Sequence, residues 1–476
     1  MNDEKKYQHS RRKFIKNSGK IAAISALATS SPLLMAASRK KKRVALVGTG
    51  IRGIKFWGKS LNENFADIID YVALCDINPG RVAFAKKYMK VDCPTFTDFD
   101  DMLKTVDIDM LIVTTVDSTH HEFIIKALNH GINVITEKPM TTDEDKCQQI
   151  LDAEKNSTAK LIVGFNYRYG KLFTELKDLL LNDEIGELTS IDMSWYLNVY
   201  HGSSYFRRWH GTRAGGGTLL LHKASHQFDL LNWWIDSDPV EVHAYGSLEH
   251  YGRNNAFRGK NCRDCAFKKQ CDYHWDITTK ELETQLYTDN EKYDGYIRDN
   301  CVWREEIDIF DKMLVQIKYA NNVQVNYSLT TYSPFEGFRI GFNGRKGRME
   351  TWEGIPWREK EQSDQAKAYE QGMSITSHAT KELGFHEINI MKNFGDYRNI
   401  QYPFVRKGHW GGDVIMHEHI FNNSPPDKNL GQAAGVRDGA MGILIGVAAR
   451  KSIDEGRAIK IADLSDLKPK VKREKA

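Results

Sequence analysis

Two short stretches carry side chains whose types and spacing suit proton and hydride chemistry. Glu137-Lys138-Pro139 follows the apolar run Asn133 to Thr136, which sets a lysine at the end of a strand. Thr218 to Asp229 reads as a helix, and it spaces His222, His226 and Asp229 at i, i+4 and i+7, all on one face. An imidazole titrates near neutrality and can take a proton from a hydroxyl. Lys223 adds a positive charge that lowers the pKa of its neighbours. Two histidines one turn apart can instead hold a catalytic metal with one more ligand, contact a substrate, or serve as polar packing.

Something must position that lysine, and the chain opens with a framework able to do so. Arg43 to Gly53 is an apolar run ending in Gly48, Gly50 and Gly53, with Ile51 and Arg52 between the last two and a helical segment continuing to Leu61. Glycine at this spacing gives a tight turn, lets backbone N–H groups approach a pyrophosphate, and lets the helix pack on the strand. A second strand, Tyr71 to Leu74, runs into Cys75 and Asp76, where an acid holds adenosine ribose hydroxyls. Asp76 would repel a 2′-phosphate, which favours NAD, while Arg81 one turn later pulls the other way. Strand and helix alternate up to Leu161–Phe165, as a doubly wound parallel sheet requires, and its carboxyl edge carries Lys138 to the nicotinamide. Asn166-Tyr167-Arg168 then crosses the cofactor edge into a second domain, 166–463.

That domain offers two further groups of candidates. Tyr205-Phe206-Arg207-Arg208-Trp209-His210 combines aromatic faces for the C–H side of a pyranose with donors for its hydroxyls, Arg207 and Arg208 serving equally well in structural ion pairs. His409, in Gly408-His409-Trp410-Gly411-Gly412, is a histidine presented on a glycine-flexed turn. An insert over 248–302 holds four of the seven cysteines, Cys262, Cys265, Cys271 and Cys301. The spacing suits a structural tetrahedral zinc of four thiolates, or an iron–sulfur cluster, with two disulfides or free thiols as the other readings.

Gly48-Thr49-Gly50-Ile51-Arg52-Gly53, Cys75-Asp76, Thr115 with His120, Ala127-Leu128 with Gly131, and Glu137-Lys138-Pro139, in this order, resemble the glucose–fructose oxidoreductase/inositol dehydrogenase/MocA family of sugar-acting enzymes. The resemblance implies an α/β fold: a Rossmann domain over 43–165 and an α+β domain with a largely antiparallel open-faced sheet. It implies that Lys138 contacts cofactor and substrate, often beside a cis Pro139. In the family pattern D-x-x-x-H-x-x-D the central histidine matches His226, which makes His226 the expected general base, with His222 in place of the usual acid. Val116 and Asp117 stand where the family commonly has proline and asparagine. An open-faced sheet also implies a homo-oligomer, and a related group of glycoside hydrolases carries a G-H-G-G element similar to that around His409.

Composition bounds the rest. The 476 residues suffice for two domains, and 41 % hydrophobic with 27 % charged residues is ordinary for a globular chain. Ser10-Arg11-Arg12-Lys13-Phe14, followed by an alanine-rich stretch to Ala37, is a twin-arginine export pattern for residues 1–37, so a periplasmic protein exported already folded is expected. Removing that segment takes away seven basic and two acidic residues, moving the formal charge from +4 to −1, and leaves no membrane span and no basic–aromatic interleaving for nucleic acid. The tail, 464–476, reads as a solvated basic end. A folded exported dehydrogenase must carry and recycle its NAD. The expected activity is oxidation of a ring hydroxyl, at C3, of a pyranose or glycoside. The alternative is redox-neutral cleavage of a glycoside on the same fold, and a non-catalytic sugar-binding protein is the third reading.

Overall fold

The computed structural model describes residues 40–354, 365–366, 369, 385–403, 411–422 and 429–473. The twin-arginine segment and His409 lie outside the described residues. Six strands alternate with helices to form the first sheet: β1 (Lys42–Val47), β2 (Ile69–Cys75), β3 (Thr95–Phe96), β4 (Met110–Val113), β5 (Asn133–Thr136) and β6 (Leu161–Val163). Their spatial order is β3-β2-β1-β4-β5-β6 and every pairing is parallel. The central strands read VALV, MLIV and NVIT because both faces of such a sheet are covered by helices. Their carboxyl ends, Gly48, Asp76, Thr114 and Glu137, therefore share one edge, as the doubly wound sheet predicted.

The helix after the glycine turn continues through Phe65, and its middle, Gly53–Ser60, widens to the π form. Pro79–Met89 begins with the Asn78 side chain accepting from Arg81 N, a capped start that fixes the loop beside Asp76.

The second sheet has nine strands: β7 (Leu188–Asn198), β8 (Pro239–Ser247), β9 (Lys312–Tyr319), β10 (Gln324–Ser333), β11 (Gly337–Gly344), β12 (Gly347–Glu353), β13 (Phe385–Lys392), β14 (Tyr397–Pro403) and β15 (Ile459–Lys460), in the order β14-β13-β12-β11-β7-β10-β9-β8-β15. β7 and β10 run parallel and the other pairs antiparallel. The eBeBeBeB burial of β9 shows one face packed and one open. The packed face lies against the helix Ser225–Ile235 and the closing helix Val436–Glu455, whose glycines allow close approach: a Cβ at Gly446 would stand 2.5 Å from the Leu220 carbonyl oxygen. Asn321-Asn322 makes the β9–β10 turn, with Asn322 at φ +68°.

Two expectations change. The single helix over Thr218–Asp229 is two, Leu219–His222 and Ser225–Ile235, with Lys223 and Ala224 at the break. The basic tail is docked at Arg473, which pairs with Asp438 at 2.8 Å and Asp238 at 3.1 Å because the fully buried Asp238 needs a partner, while Lys468 and Lys472 stay exposed.

Candidate active site

Gly48 sits at φ +87°, and a Cβ there would lie 2.6 Å from the Thr114 backbone; one at Gly53 would lie 2.4 Å from the Gly48 carbonyl oxygen. Only glycine closes this turn. Asp76 braces it, with Oδ2 accepting from Thr49 N (2.7 Å) and Thr49 Oγ1 (3.0 Å) and Oδ1 from Asn78 N (2.9 Å). The Arg81 guanidinium bridges Asp76 at 3.0 Å and Asp294 at 2.6 Å. Its charge is spent inside the protein, so it is no free cation for a 2′-phosphate, and the residues around this turn fit NAD.

The loop after β5 holds the lysine. Lys138–Pro139 is a cis peptide. His120 lies between the Pro139 carbonyl (2.9 Å) and the Thr115 carbonyl (3.1 Å), tying this loop to the turn after β4. Glu137 accepts from Arg52 Nε at 2.6 Å and Trp57 Nε1 at 2.7 Å, and the other end of Arg52 meets Asp413, which also accepts from Asn166 Nδ2 at 2.6 Å. Thus Arg52, Glu137, His120 and Asn166 form the rigid frame around the cofactor edge.

Within that frame Lys138 Nζ donates to the His222 carbonyl at 2.8 Å and faces His222 Nε2 at 3.5 Å. His222 Nδ1 meets Asp117 Oδ2 at 2.6 Å. Burial pushes Lys138 down to about 8 against the pull of Asp117. Burial and the neighbouring Lys138 hold His222 well below its usual value, and burial raises Asp117 well above the carboxylate range. Nε2 faces the Lys138 ammonium, a donor only, so Nε2 is the ring's acceptor and Nδ1–H donates to Asp117, whose ionised form Lys138 and Arg208 favour against burial. Tyr205 and His210 pack edge-on to the His222 ring at 5.2 and 4.1 Å, and Trp209 stacks on His210 at 3.5 Å. The Arg208 guanidinium lies over the Tyr205 ring, 5.2 Å from its centroid, donates to the Ser204 carbonyl at 2.7 Å, and its charge lowers His210 and His222. Lys223, pushed down to about 8 by burial, reaches the Tyr167 hydroxyl at 3.4 Å and the neighbourhood of Glu336, which holds His201 at 2.9 Å.

Several predicted site residues stand elsewhere. His226, the expected base, stacks on Tyr167 with ring centroids 4.1 Å apart, while His222, at the end of the preceding short helix, faces Lys138. Arg168 is buried against Asp229 (2.6 and 2.8 Å) and Asp438 (2.8 Å), a domain-joining ion cluster in place of a cofactor contact. Arg207 points away from the cleft, donating to Cys262 Sγ at 2.9 Å and the Tyr273 carbonyl.

Cys262, Cys265, Cys271 and Cys301 line one pocket with Arg207 and His274, yet all seven cysteines are free. Among the described residues no group of His, Cys, Asp or Glu is placed to hold a metal ion. The zinc expectation is therefore not supported, nor are disulfides. The sulfurs are engaged locally, Cys265 Sγ by Phe267 N and Cys301 Sγ by Trp303 N, each at 3.4 Å. Among the described residues no helix is long and apolar enough to cross a membrane.

Sequence reasoning missed Asp117 as a partner of His222, and Asp413 as the acceptor joining Arg52 to Asn166. The departure at Val116-Asp117 was the available signal for the first.

A glycine turn at the edge of a parallel sheet, with a lysine just past the end of β5 and an imidazole at the end of the helix Leu219–His222 facing it, defines a dinucleotide-dependent oxidoreductase. Residues 42–165 match the oxidoreductase family described as having an NAD-binding Rossmann fold, and residues 177–461 match the C-terminal alpha/beta domain of the same family, so the chain belongs to the GFO/IDH/MocA oxidoreductases. It is 32 % identical over 445 residues to the putative oxidoreductase YteT of Bacillus subtilis, covering 89 % of this chain and 98 % of that one. It is 26 % identical over 200 residues to an inositol 2-dehydrogenase of Salmonella typhimurium, 41 % of this chain and 56 % of the relative. The fold is similar to that of levoglucosan dehydrogenase in complex with NADH and levoglucosan (TM-score 0.61, 15 % identity, 89 % and 100 % covered) and of myo-inositol 2-dehydrogenase from Lactobacillus plantarum (TM-score 0.57, 18 % identity, 88 % and 99 % covered).

Proposed function

We propose that this protein oxidises a ring hydroxyl of a pyranose or glycoside, at C3, with NAD held tightly and regenerated on the enzyme by passing its hydride to the carbonyl of a second substrate or back to the oxidised sugar. The observation that carries the reading is the Lys138–His222–Asp117 chain at the carboxyl edge of the parallel sheet. Bound NAD supplies the hydride acceptor. A substrate hydroxyl within hydrogen-bond reach of both Lys138 Nζ and His222 Nε2 gives its proton to the imidazole, whose Nδ1–H is oriented by Asp117. The Lys138 ammonium stabilises the alkoxide as the carbinol hydride leaves. Tyr205, Trp209, His210 and Arg208 line the sugar side. Relatives and structural neighbours named as inositol and levoglucosan dehydrogenases support a cyclic polyol or sugar as substrate.

The test is to incubate purified protein with pyranoses and glycosides deuterated at C3, without added cofactor, and to analyse the released nucleotide and sugar by mass spectrometry. Deuterium on the bound nucleotide with a 3-keto sugar is expected. Label retained at C3 throughout would remove this reading. Export through the twin-arginine route belongs to the same proposal and predicts NAD-loaded protein in the periplasmic fraction, lost to the cytoplasm when Arg11 and Arg12 are replaced by lysine.

A further inference from the structure

The segment between Cys271 and Cys301, residues 281–300, lies against the glycine turn. Tyr287 is buried and its hydroxyl accepts from Ile51 N at 2.8 Å, the backbone amide just past Gly50 that such turns offer to a pyrophosphate. A Cβ on Gly50 would come within 3.4 Å of the same hydroxyl. The Arg298 guanidinium lies over the Tyr287 ring, 4.7 Å from its centroid, and the Tyr296 ring packs edge-on to Tyr287 at 5.8 Å. Among the described residues Arg298 has no carboxylate partner, and its charge reaches Arg208 and His210 in the cleft. Other parts of the segment close the adenosine side: Asn290 accepts from Asn78 Nδ2 at 2.9 Å, and Asp294 takes Arg81. Arg263, two residues before Cys265, ties the segment to the cysteine lobe through Glu291 at 2.6 Å.

A guanidinium with no carboxylate partner among the described residues, stacked on a tyrosine whose hydroxyl stands at the phosphate-facing amide, is complementary to a doubly charged pyrophosphate. We propose that the insert contributes Tyr287 and Arg298 as ligands of the cofactor pyrophosphate, so that the insert, and not the Rossmann domain alone, sets how slowly the nucleotide leaves. The Tyr287 oxygen, held by Ile51 N–H, leaves its O–H to donate to a phosphate oxygen at the glycine turn, and Arg298, over the same ring, donates to the pyrophosphate and neutralises its charge. This rests on a dinucleotide occupying the glycine turn.

The experiment follows nucleotide retention in full-length protein, together with affinity of stripped protein for NAD, ADP and adenosine by calorimetry, comparing wild type with Arg298→Met, Arg298→Lys and Tyr287→Phe. Arg298→Met is expected to weaken NAD and ADP by at least about tenfold while adenosine binding is unchanged, with Arg298→Lys between it and wild type and Tyr287→Phe weaker by several-fold. Wild-type affinity for ADP and NAD in Arg298→Met overturns the assignment. Equal loss of adenosine binding also overturns it, since the effect would then lie outside the phosphates. If wild-type protein binds none of the three, the dinucleotide reading itself fails, which is a distinguishable result.

Discussion

Arg168 and Lys138 are both cations enclosed near the junction of the two domains, and their surroundings treat them in opposite ways. Arg168 has Nε and Nη2 on Asp229, Nη2 also on Asp438, and Nη1 on the carbonyls of Gly431 and Ala433. Burial works against its charge, and the two carboxylates outweigh it. Lys138 meets one carbonyl and a ring nitrogen at 3.5 Å, with its counter-charge Asp117 on the far side of that ring. Burial therefore wins, and the amine falls to about 8. A buried cation whose donors are all met serves cohesion, whereas one left short of partners is ready for a ligand that brings the missing charge.

The largest effect should come from removing the incompletely paired cation. Lys138→Met is expected to lower the oxidation rate by about 10³-fold or more, while the nucleotide stays bound. The same substitution should raise stability by about 1 kcal/mol, since it relieves a desolvated charge. Single-turnover kinetics and urea unfolding check both, and a stability loss would mean that Lys138 is better satisfied than its contacts indicate.

Arg168→Met inverts that pattern. It leaves Asp229 buried without its partner, while Asp438 keeps Arg473, so unfolding free energy should fall by about 3 kcal/mol. Turnover per folded molecule should change far less than in Lys138→Met. A rate loss as deep as that of Lys138→Met in well-folded Arg168→Met protein would return Arg168 to the catalytic group.

The histidine pair separates the same two uses within one stretch of chain. His222→Gln is expected to cost about 10²-fold in kcat, and His226→Gln less than about tenfold, because only His222 faces Lys138. The reverse order would restore His226 as the base.

What was legible beforehand follows the range of the determining interactions. Gly48, Gly53 and Glu137-Lys138-Pro139 are dictated within a few residues by a turn that tolerates no Cβ and by a strand end, so the sequence exposes them. The use of Arg168 depends on Asp229 and Asp438, 61 and 270 positions away, and that of His222 on Asp117, 105 positions away. Helical spacing placed His222, His226 and Asp229 on one face. Tertiary packing broke the helix at Lys223–Ala224 and sent each to a different partner. Arg207 and Arg208 are neighbours in sequence, yet one serves the cysteine pocket and the other the cleft.

The smallest effect, and the sharpest on the role of Lys138, is the response to pH. The ammonium must be charged to stabilise an alkoxide, and its proton leaves near pH 8 instead of near 10.5. Below about 8 the charge is present and kcat/KM is flat; above it kcat/KM falls about tenfold per pH unit as the neutral amine accumulates. His222, held well below its usual value, stays neutral through this range and adds no limb there. Lys138→Arg cannot deprotonate, so its reduced activity should show no fall between pH 7 and 10. If wild-type kcat/KM instead rises through pH 8, the neutral amine of Lys138 is the proton acceptor, His222 becomes the group that orients it, and the incomplete pairing of Lys138 serves basicity rather than charge.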